Sequence, residues 1–307
     1  CNTEEDFYQA CRAASILGTL QAGYTDFKFL TDTSKLIFDR EALLGVSITG
    51  WMNNPDILFN EKILQKGAKI VKEVNREVAK VIGINAAART TCVKPSGNAS
   101  VLLQTASGIH AEHSGMYIRN VQMNKESEIT QAIMKTNPYM VEDSVWSAGG
   151  TDVVVSFPIL PKKGSMYKDD LLGIKHLELV KKAQKHWVEA GTNEDLCADK
   201  GVRHNVSNTI IVDNWDEVEK YVFENRHSFA GISFLAMSGD KDYNQAPNTA
   251  VITANDMVKK YGNAAVFASG MVVDALKCFN NLWDACSTAK GFGEDISLES
   301  SENAMKR

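Results

Sequence analysis

One short segment gathers groups that bind anions. Lys94, Ser96 and Ser100 stand within a few residues of one another, punctuated by Pro95 and Gly97. Residues 89–93 can pair as a strand; the run breaks at Pro95 and Gly97, and Asn98-Ala99-Ser100-Val101-Leu102-Leu103 then opens on a good N-cap and continues apolar. The pattern predicts a strand, a tight turn and the start of a helix. The first N–H groups of a helix have no internal partner and carry the positive end of its dipole, so the segment is a candidate phosphate cradle. Its residues are Lys94, Pro95, Ser96, Gly97, Asn98, Ala99 and Ser100. An ordinary β-to-α turn with a cap fits the same residues, and physical grounds alone leave that reading open.

The other reactive residues give weaker patterns. His110, Glu112 and His113 share a loop, but no third well-spaced ligand accompanies the imidazoles, and no metal is expected. The six cysteines, Cys1, Cys11, Cys92, Cys197, Cys278 and Cys286, contain no CxxC pair, which fits neither a zinc site nor a secreted disulfide framework. Reduced, buried packing thiols are expected for all but Cys1, which stands where a methionine would be expected. Both ends of the sequence look cut.

Alternating elements must position these groups. Thr3-Glu4-Glu5-Asp6 resembles a capping box, and Phe7, Cys11, Ala14, Ile16, Leu17 and Leu20 follow at roughly helical spacing, predicting a helix over 3–22. A second helical stretch, 36–44, runs into a β-branched strand at 45–51; a long amphipathic helix over 58–82 leads to the strand that feeds the cradle. Strand, helix, strand in this order implies parallel neighbours and a right-handed crossover. Further strands are expected at 116–123, 151–158, 205–212 and 229–235, the last buried, with helices at 127–135, 169–190, 215–224 and 270–290. No linker-like shift, repeat or low-complexity tract divides the chain, so an α/β fold in one domain, or part of one, is expected.

Composition bounds the function. With 307 residues and 44% hydrophobic content the chain can bury a large core. A net charge of -5 argues against a general nucleic-acid surface, so any phosphate is held by local groups. No apolar run is long enough to cross a bilayer and no basic-then-apolar leader opens the sequence, so no membrane partner and a cytoplasmic location are expected.

Several segments, in order along nearly the whole chain, resemble the catalytic subunit of a ribonucleotide reductase. They are Cys1-Asn2, residues 44–50 (LGVSITG), 90–97 (TTCVKPSG), 107–110 (SGIH), 117–120 (YIRN), 229–235 (FAGISFL) and 243–247 (YNQAP). The resemblance is nearest to the monomeric, adenosylcobalamin-dependent (class II) branch that reduces ribonucleoside triphosphates. It implies part of the ten-stranded α/β barrel shared with glycyl radical enzymes, with a finger loop carrying the radical-forming cysteine. The Lys-Pro-Ser-Gly segment then corresponds to the substrate phosphate loop, residues 94–100, although Asn98 stands where the family more commonly has Thr. Cys1 corresponds to one cysteine of the redox pair.

The same resemblance implies partners. A thiyl radical formed when the carbon–cobalt bond of adenosylcobalamin breaks takes the 3′ hydrogen of the ribose, the 2′ hydroxyl leaves as water, and two thiols become a disulfide. The other redox cysteine, the thiyl cysteine, the finger loop and the effector site would lie upstream of residue 1, and the tail cysteines that take electrons from a thioredoxin-type reductant would lie past Arg307. The chain is therefore expected to be the C-terminal portion of the barrel, from a split gene or processed precursor, and to need the N-terminal part of the same reductase. A first-position cysteine is also what protein splicing requires after an intein. The rival readings are a sugar-phosphate barrel enzyme, which should carry its own acids or Schiff-base lysine, and a nonenzymatic remnant.

Overall fold

The computed structural model describes residues 3–97, 99–237 and 245–250. In chain order the main elements are α1 (Glu4–Ala22), α2 (Asp32–Glu41), β1 (Val46–Ser47), α3 (Pro55–Leu58), α4 (Glu61–Ile82), β2 (Thr91–Cys92), α5 (Ala99–Leu102) and β3 (Tyr117–Asn124). They continue with α6 (Glu128–Thr136), β4 (Val141–Asp143), β5 (Asp152–Ile159), α7 (Gly173–Ala183), β6 (Ile210–Val212), α8 (Trp215–Glu224), β7 (Phe234–Ala236) and β8 (Asn248–Ala250). The chain divides into two compact units, one of residues 1–112 with 162–237 and the other of residues 113–161 with 238–307. The helix expected over 270–290, with Cys278 and Cys286, lies outside the described residues.

In the first unit the parallel pairing implied by the order strand, helix, strand is present. Val46 pairs with Thr91 and Ser47 with Cys92, with α4 as the crossover. A parallel bridge from Val93 to Val206 leads on to β6, which pairs in parallel with β7. Trp51, Leu64, Val71, Val93, Leu177, Trp187 and Ile210 are fully buried around this row. At the margin of the row Arg89 ties three segments together: its guanidinium donates to Glu41 Oε2 (2.7 Å), Val202 O (2.9 Å) and Asp199 O (3.0 Å). Burial alone would raise the Glu41 pKa, but the bonds from Arg89, Arg40 and the Ala198 N–H hold it below the usual value.

The capping box at the start of α1 forms as the sequence predicts: Thr3 Oγ1 accepts the Asp6 N–H and Asp6 Oδ2 accepts the Thr3 N–H, each at 3.1 Å. The face that α1 buries differs from the expected one beyond Cys11. Phe7, Cys11, Ser15 and Thr19 turn inward, while Ile16, Leu17 and Leu20 are exposed. Hydroxyls explain the choice, because Ser15 donates to Val71 O (2.8 Å) and Thr19 accepts from Asn75 Nδ2 (2.9 Å), so two polar residues are satisfied against α4. Of the exposed residues of α1, Leu17 joins Tyr24, Phe27, Phe38 and Leu43 around an open groove of about 750 Å³ beside β1. The strand β7 also departs from expectation. It was to be buried, yet Phe234, Leu235 and Ala236 are all exposed, because among the described residues β7 pairs with β6 alone.

The second unit is an antiparallel sheet in the order β4-β5-β3-β8. Its strands fall at the segments predicted near 116–123 and 151–158, but the chain between them reverses through α6 instead of crossing over. One face packs Met123, Ile133, Met140, Val153, Val155 and Phe157 together.

The helix predicted over 169–190 starts at Gly173 and ends in a π-helical turn, Gln184–Glu189. The turn shifts the carbonyl ladder, and Thr91 fills the gap by donating its hydroxyl to Trp187 O (2.7 Å). In return Trp187 Nε1 donates to Cys92 O at 3.0 Å. The strand entering residues 94–100 is thereby locked from the side.

Candidate functional site

Out of that locked strand the chain emerges into solvent. Thr90, Thr91 and Val93 are buried, whereas Lys94, Pro95 and Gly97 are exposed and Ser96 is half-buried. The Lys94 N–H donates to Ser47 Oγ (2.9 Å), which fixes the exit to the end of β1. The Ser96 N–H donates to Ser107 Oγ (2.8 Å), and the same hydroxyl donates back to Ser96 O (3.1 Å). The Ser100 N–H donates to Ser96 Oγ (3.0 Å), and the Ser100 hydroxyl donates to Ser96 O.

The predicted strand, turn and helix are therefore present, with two refinements. The helix α5 is a single turn, Ala99–Leu102, so its dipole is small. Ser100 is buried and spends its hydroxyl inside the loop, as a brace. The groups facing outward are Lys94, Pro95, Gly97 and Ala99, with Ser96 beside them. Asn98 lies outside the described residues.

Two glycines differ in what they are for. Gly108 sits at φ +56°, and a Cβ there would fall 2.8 Å from Lys94 O, so the chain itself needs this glycine where the 105–108 turn passes under the loop. A Cβ on Gly97 would meet nothing within 4 Å. No internal packing demands a glycine at 97, and the open space over its backbone is where an anion could approach closely.

Beside the loop lies a cavity of about 500 Å³ at the carboxyl end of β1. Its polar lining includes Ser47, Thr49, Asn53, Thr105 and one charged residue, Lys162, and its apolar wall includes Phe7 and Trp187. The roles of Ser47, Thr49, Asn53 and Ser107 were not found from sequence. They are uncharged hydroxyls and an amide; Ser47, Thr49 and Ser107 stand in segments that carry the resemblance, but only their closeness in space to residues 94–100 gives them a role.

The histidine loop is structural in its contacts. His110 Nδ1 lies 3.0 Å from Ser107 O, and Glu112 Oε1 accepts from Asn53 Nδ2 at 2.7 Å. Among the described residues no group of three or more His, Cys, Asp or Glu could hold a metal ion. His176 on α7 donates from Nε2 to Ile109 O (3.0 Å), and burial pushes its pKa down to about 4, against the raising effect of that carbonyl and with a further lowering by His110. The folded protein thus binds this proton later than the unfolded chain, so stability is full above the ordinary histidine pKa and falls as the pH drops from about 6.5 towards 4. His176→Gln keeps a donor for Ile109 O without the titration. Urea melts should show the wild type losing about 2 kcal/mol more than this variant between pH 7 and pH 5; parallel losses would mean His176 is not the responsible group.

Cys1 lies outside the described residues, as do Cys278 and Cys286. Cys11, Cys92 and Cys197 are buried free thiols; burial pushes all three up, Cys11 to about 12. They are packing residues in this structure, and poor nucleophiles.

No protein-family model matches the chain. It is similar to a probable adenosylcobalamin-dependent ribonucleoside-triphosphate reductase of Dictyostelium discoideum, 28% identical over 60% of this chain and 24% of that protein. It is also similar to the adenosylcobalamin-dependent ribonucleoside-triphosphate reductase of Euglena gracilis, 23% identical over 71% of this chain and 28% of that protein. The chain thus spans about a quarter of the length of these curated relatives. In three dimensions it matches a crystal structure of a B12-dependent (class II) ribonucleotide reductase with a TM-score of 0.67 at 16% identity, over 94% of this chain and 40% of that one. The α/β fold expected from the sequence is therefore the fold observed, and it matches part of the fold of that reductase.

Proposed function

We propose that this chain is the C-terminal portion of the catalytic barrel of an adenosylcobalamin-dependent ribonucleoside-triphosphate reductase. In this reading it contributes the substrate phosphate loop, residues 94–100, and one redox thiol, Cys1. The observation that carries the phosphate assignment is the open backbone at Gly97, held on a loop whose every described anchor points inward. An anion reaching Gly97 would find Lys94 and the exposed start of α5 beside it, with Ser96 and Ser100 bracing the loop from within.

The partner in this reading is the N-terminal part of the same reductase, bringing the thiyl cysteine, the finger loop and the effector site. Two features support it: the exposed apolar residues Ile16, Leu17 and Leu20 of α1, and a parallel row ending in the exposed β7. Adenosylcobalamin, when bound, supplies the radical. No described residue is assigned to holding it. The electrons are assigned to a thioredoxin-type reductant. No described helix is long and apolar enough to cross a membrane, and a cytoplasmic location goes with the proposed enzyme.

Calorimetric titration tests the loop directly. The protein should bind a ribonucleoside triphosphate and inorganic tripolyphosphate, and sugar monophosphates far more weakly. Gly97→Ala should weaken triphosphate binding about tenfold while leaving the melting temperature within about a degree, since beyond the adjoining residues its Cβ meets no described atom within 4 Å. Equal binding of sugar monophosphates would favour the sugar-phosphate reading, and a protein blind to every phosphate ligand would remove the assignment.

A further inference from the structure

Asn53 is 8% exposed and sits in the first turn after β1, in a stretch with no charge and no motif of its own. Its amide is used completely. Oδ1 accepts from Thr105 Oγ1 and from the Ala106 N–H, both at 2.6 Å, and Nδ2 donates to Glu112 Oε1 (2.7 Å) and to Ser165 Oγ (2.9 Å). The orientation is fixed by these partners, because a flipped amide would set its NH2 against the Ala106 N–H.

Ala106 is the residue before Ser107, and Ser107 Oγ both accepts the Ser96 N–H and donates to Ser96 O. Neighbouring contacts leave the turn no freedom to compensate. Thr49 Oγ1 donates to Ala106 O and accepts the Gly108 N–H, each at 3.0 Å, and the Gly50 N–H donates to Ala106 O at 2.9 Å. Gly50 itself stands at φ +76°, and a Cβ there would also fall 2.1 Å from Thr105 Oγ1, so the position needs glycine. The turn is therefore clamped from one side, and its far side holds the phosphate segment.

We propose that Asn53 is a positioning residue for ligand binding: it sets the height and angle of residues 94–100 through Ala106 and the Ser107 hydroxyl, without touching the ligand. The proposal rests on the phosphate-loop reading above. A neutral amide suits the role, since the position must accept from a backbone N–H and donate to the Glu112 carboxylate at once. Neither an aspartate nor a lysine can do both.

The protein contains its own control. Asn75 is as buried as Asn53 and also bridges segments, accepting the Ala87 N–H (2.8 Å) and donating to Thr19 Oγ1 (2.9 Å), but none of its bonds leads to the loop. Replacing either asparagine by alanine strands buried partners and should lower the unfolding midpoint. Only Asn53 should change the ligand affinity.

The experiment is calorimetric titration of the purified chain with a ribonucleoside triphosphate and with inorganic tripolyphosphate. It compares the wild type, Asn53→Ala, Ser107→Ala, the double variant and Asn75→Ala, with urea melts run in parallel. Asn53→Ala and Ser107→Ala should each bind about tenfold more weakly, and the double variant should be little worse than the weaker single one, since both act through one chain of bonds. Asn75→Ala should bind within about twofold of wild type despite its own loss of stability. Wild-type binding with unchanged affinity in Asn53→Ala, or affinity that falls equally in Asn75→Ala, overturns the positioning role and leaves the loop assignment standing. A wild type that binds neither ligand overturns both. Should Asn53→Ala fail to fold, Ser107→Ala, which removes a half-buried hydroxyl, decides by the same comparison.

Discussion

Gly108→Ala is expected to destabilise the protein by about 2–4 kcal/mol and to weaken phosphate binding on the order of a hundredfold. Two costs add. The backbone at 108 lies in the left-handed region, where a side chain costs about 1–2 kcal/mol. The new methyl also meets backbone atoms only, Lys94 O at 2.8 Å with Lys94 C and Pro95 Cα at 3.2 Å, so no side chain can rotate away. Either the turn or the loop must move, and a shift of about 1 Å in a ligand-holding group is enough for a large loss. Urea melts measure the first effect and triphosphate titration the second. The contrast with Gly97→Ala separates them, because that variant adds the same methyl in open space. If Gly108→Ala bound triphosphate like the wild type, the 105–108 turn would not be what holds residues 94–100 in place.

The sequence made the elements legible where one physical signal dominated. The capping box of α1, the amphipathic stripe of α4 and the β-branched run into β1 each state a local preference that the tertiary fold kept. The segment 94–100 was legible as strand, turn and helix for the same reason, though not the shortness of α5. What the residues alone could not show were choices between faces. Both Leu17 and Ser15 lie at spacings a buried helix face could use, and the winner was set by hydrogen-bonding partners on α4, more than fifty residues away.

The same limit applies to the site. Lys94, Ser96 and Gly97 could be picked out by type, but the residues that shape them are a serine at 47, a threonine at 49, an asparagine at 53 and a serine at 107, all common residues. The antiparallel pairing of β3 with β5 was hidden too, since a strand followed by a short helix and another strand reads the same whether the chain crosses over or turns back. The exposed β7 shows a further limit: a strand of apolar residues predicts burial, and only the pairing shows that β7 has a single neighbour, β6, among the described residues.

Cys1→Ser is expected to abolish turnover in the assembled reductase while leaving nucleotide binding intact. Under the proposed function, replacing the 2′ hydroxyl by hydrogen takes two electrons from the protein: the hydroxyl leaves as water, and two thiols lose their hydrogens and join as a disulfide. A serine hydroxyl can neither give up its hydrogen to that chemistry nor close a sulfur–sulfur bond. No described cysteine can stand in, because Cys11, Cys92 and Cys197 are buried and their thiols are held protonated. Mixing this chain with the upstream part of the reductase, adenosylcobalamin, a dithiol and a ribonucleoside triphosphate should yield deoxynucleotide with the wild type. Cys1→Ser should yield at least about a thousandfold less, and Cys11→Ser nearly the wild-type amount. A Cys1→Ser complex that keeps turning over would take the redox role from Cys1, and a wild-type complex that binds triphosphate without reducing it would identify the chain as a remnant that retained the fold and lost the chemistry.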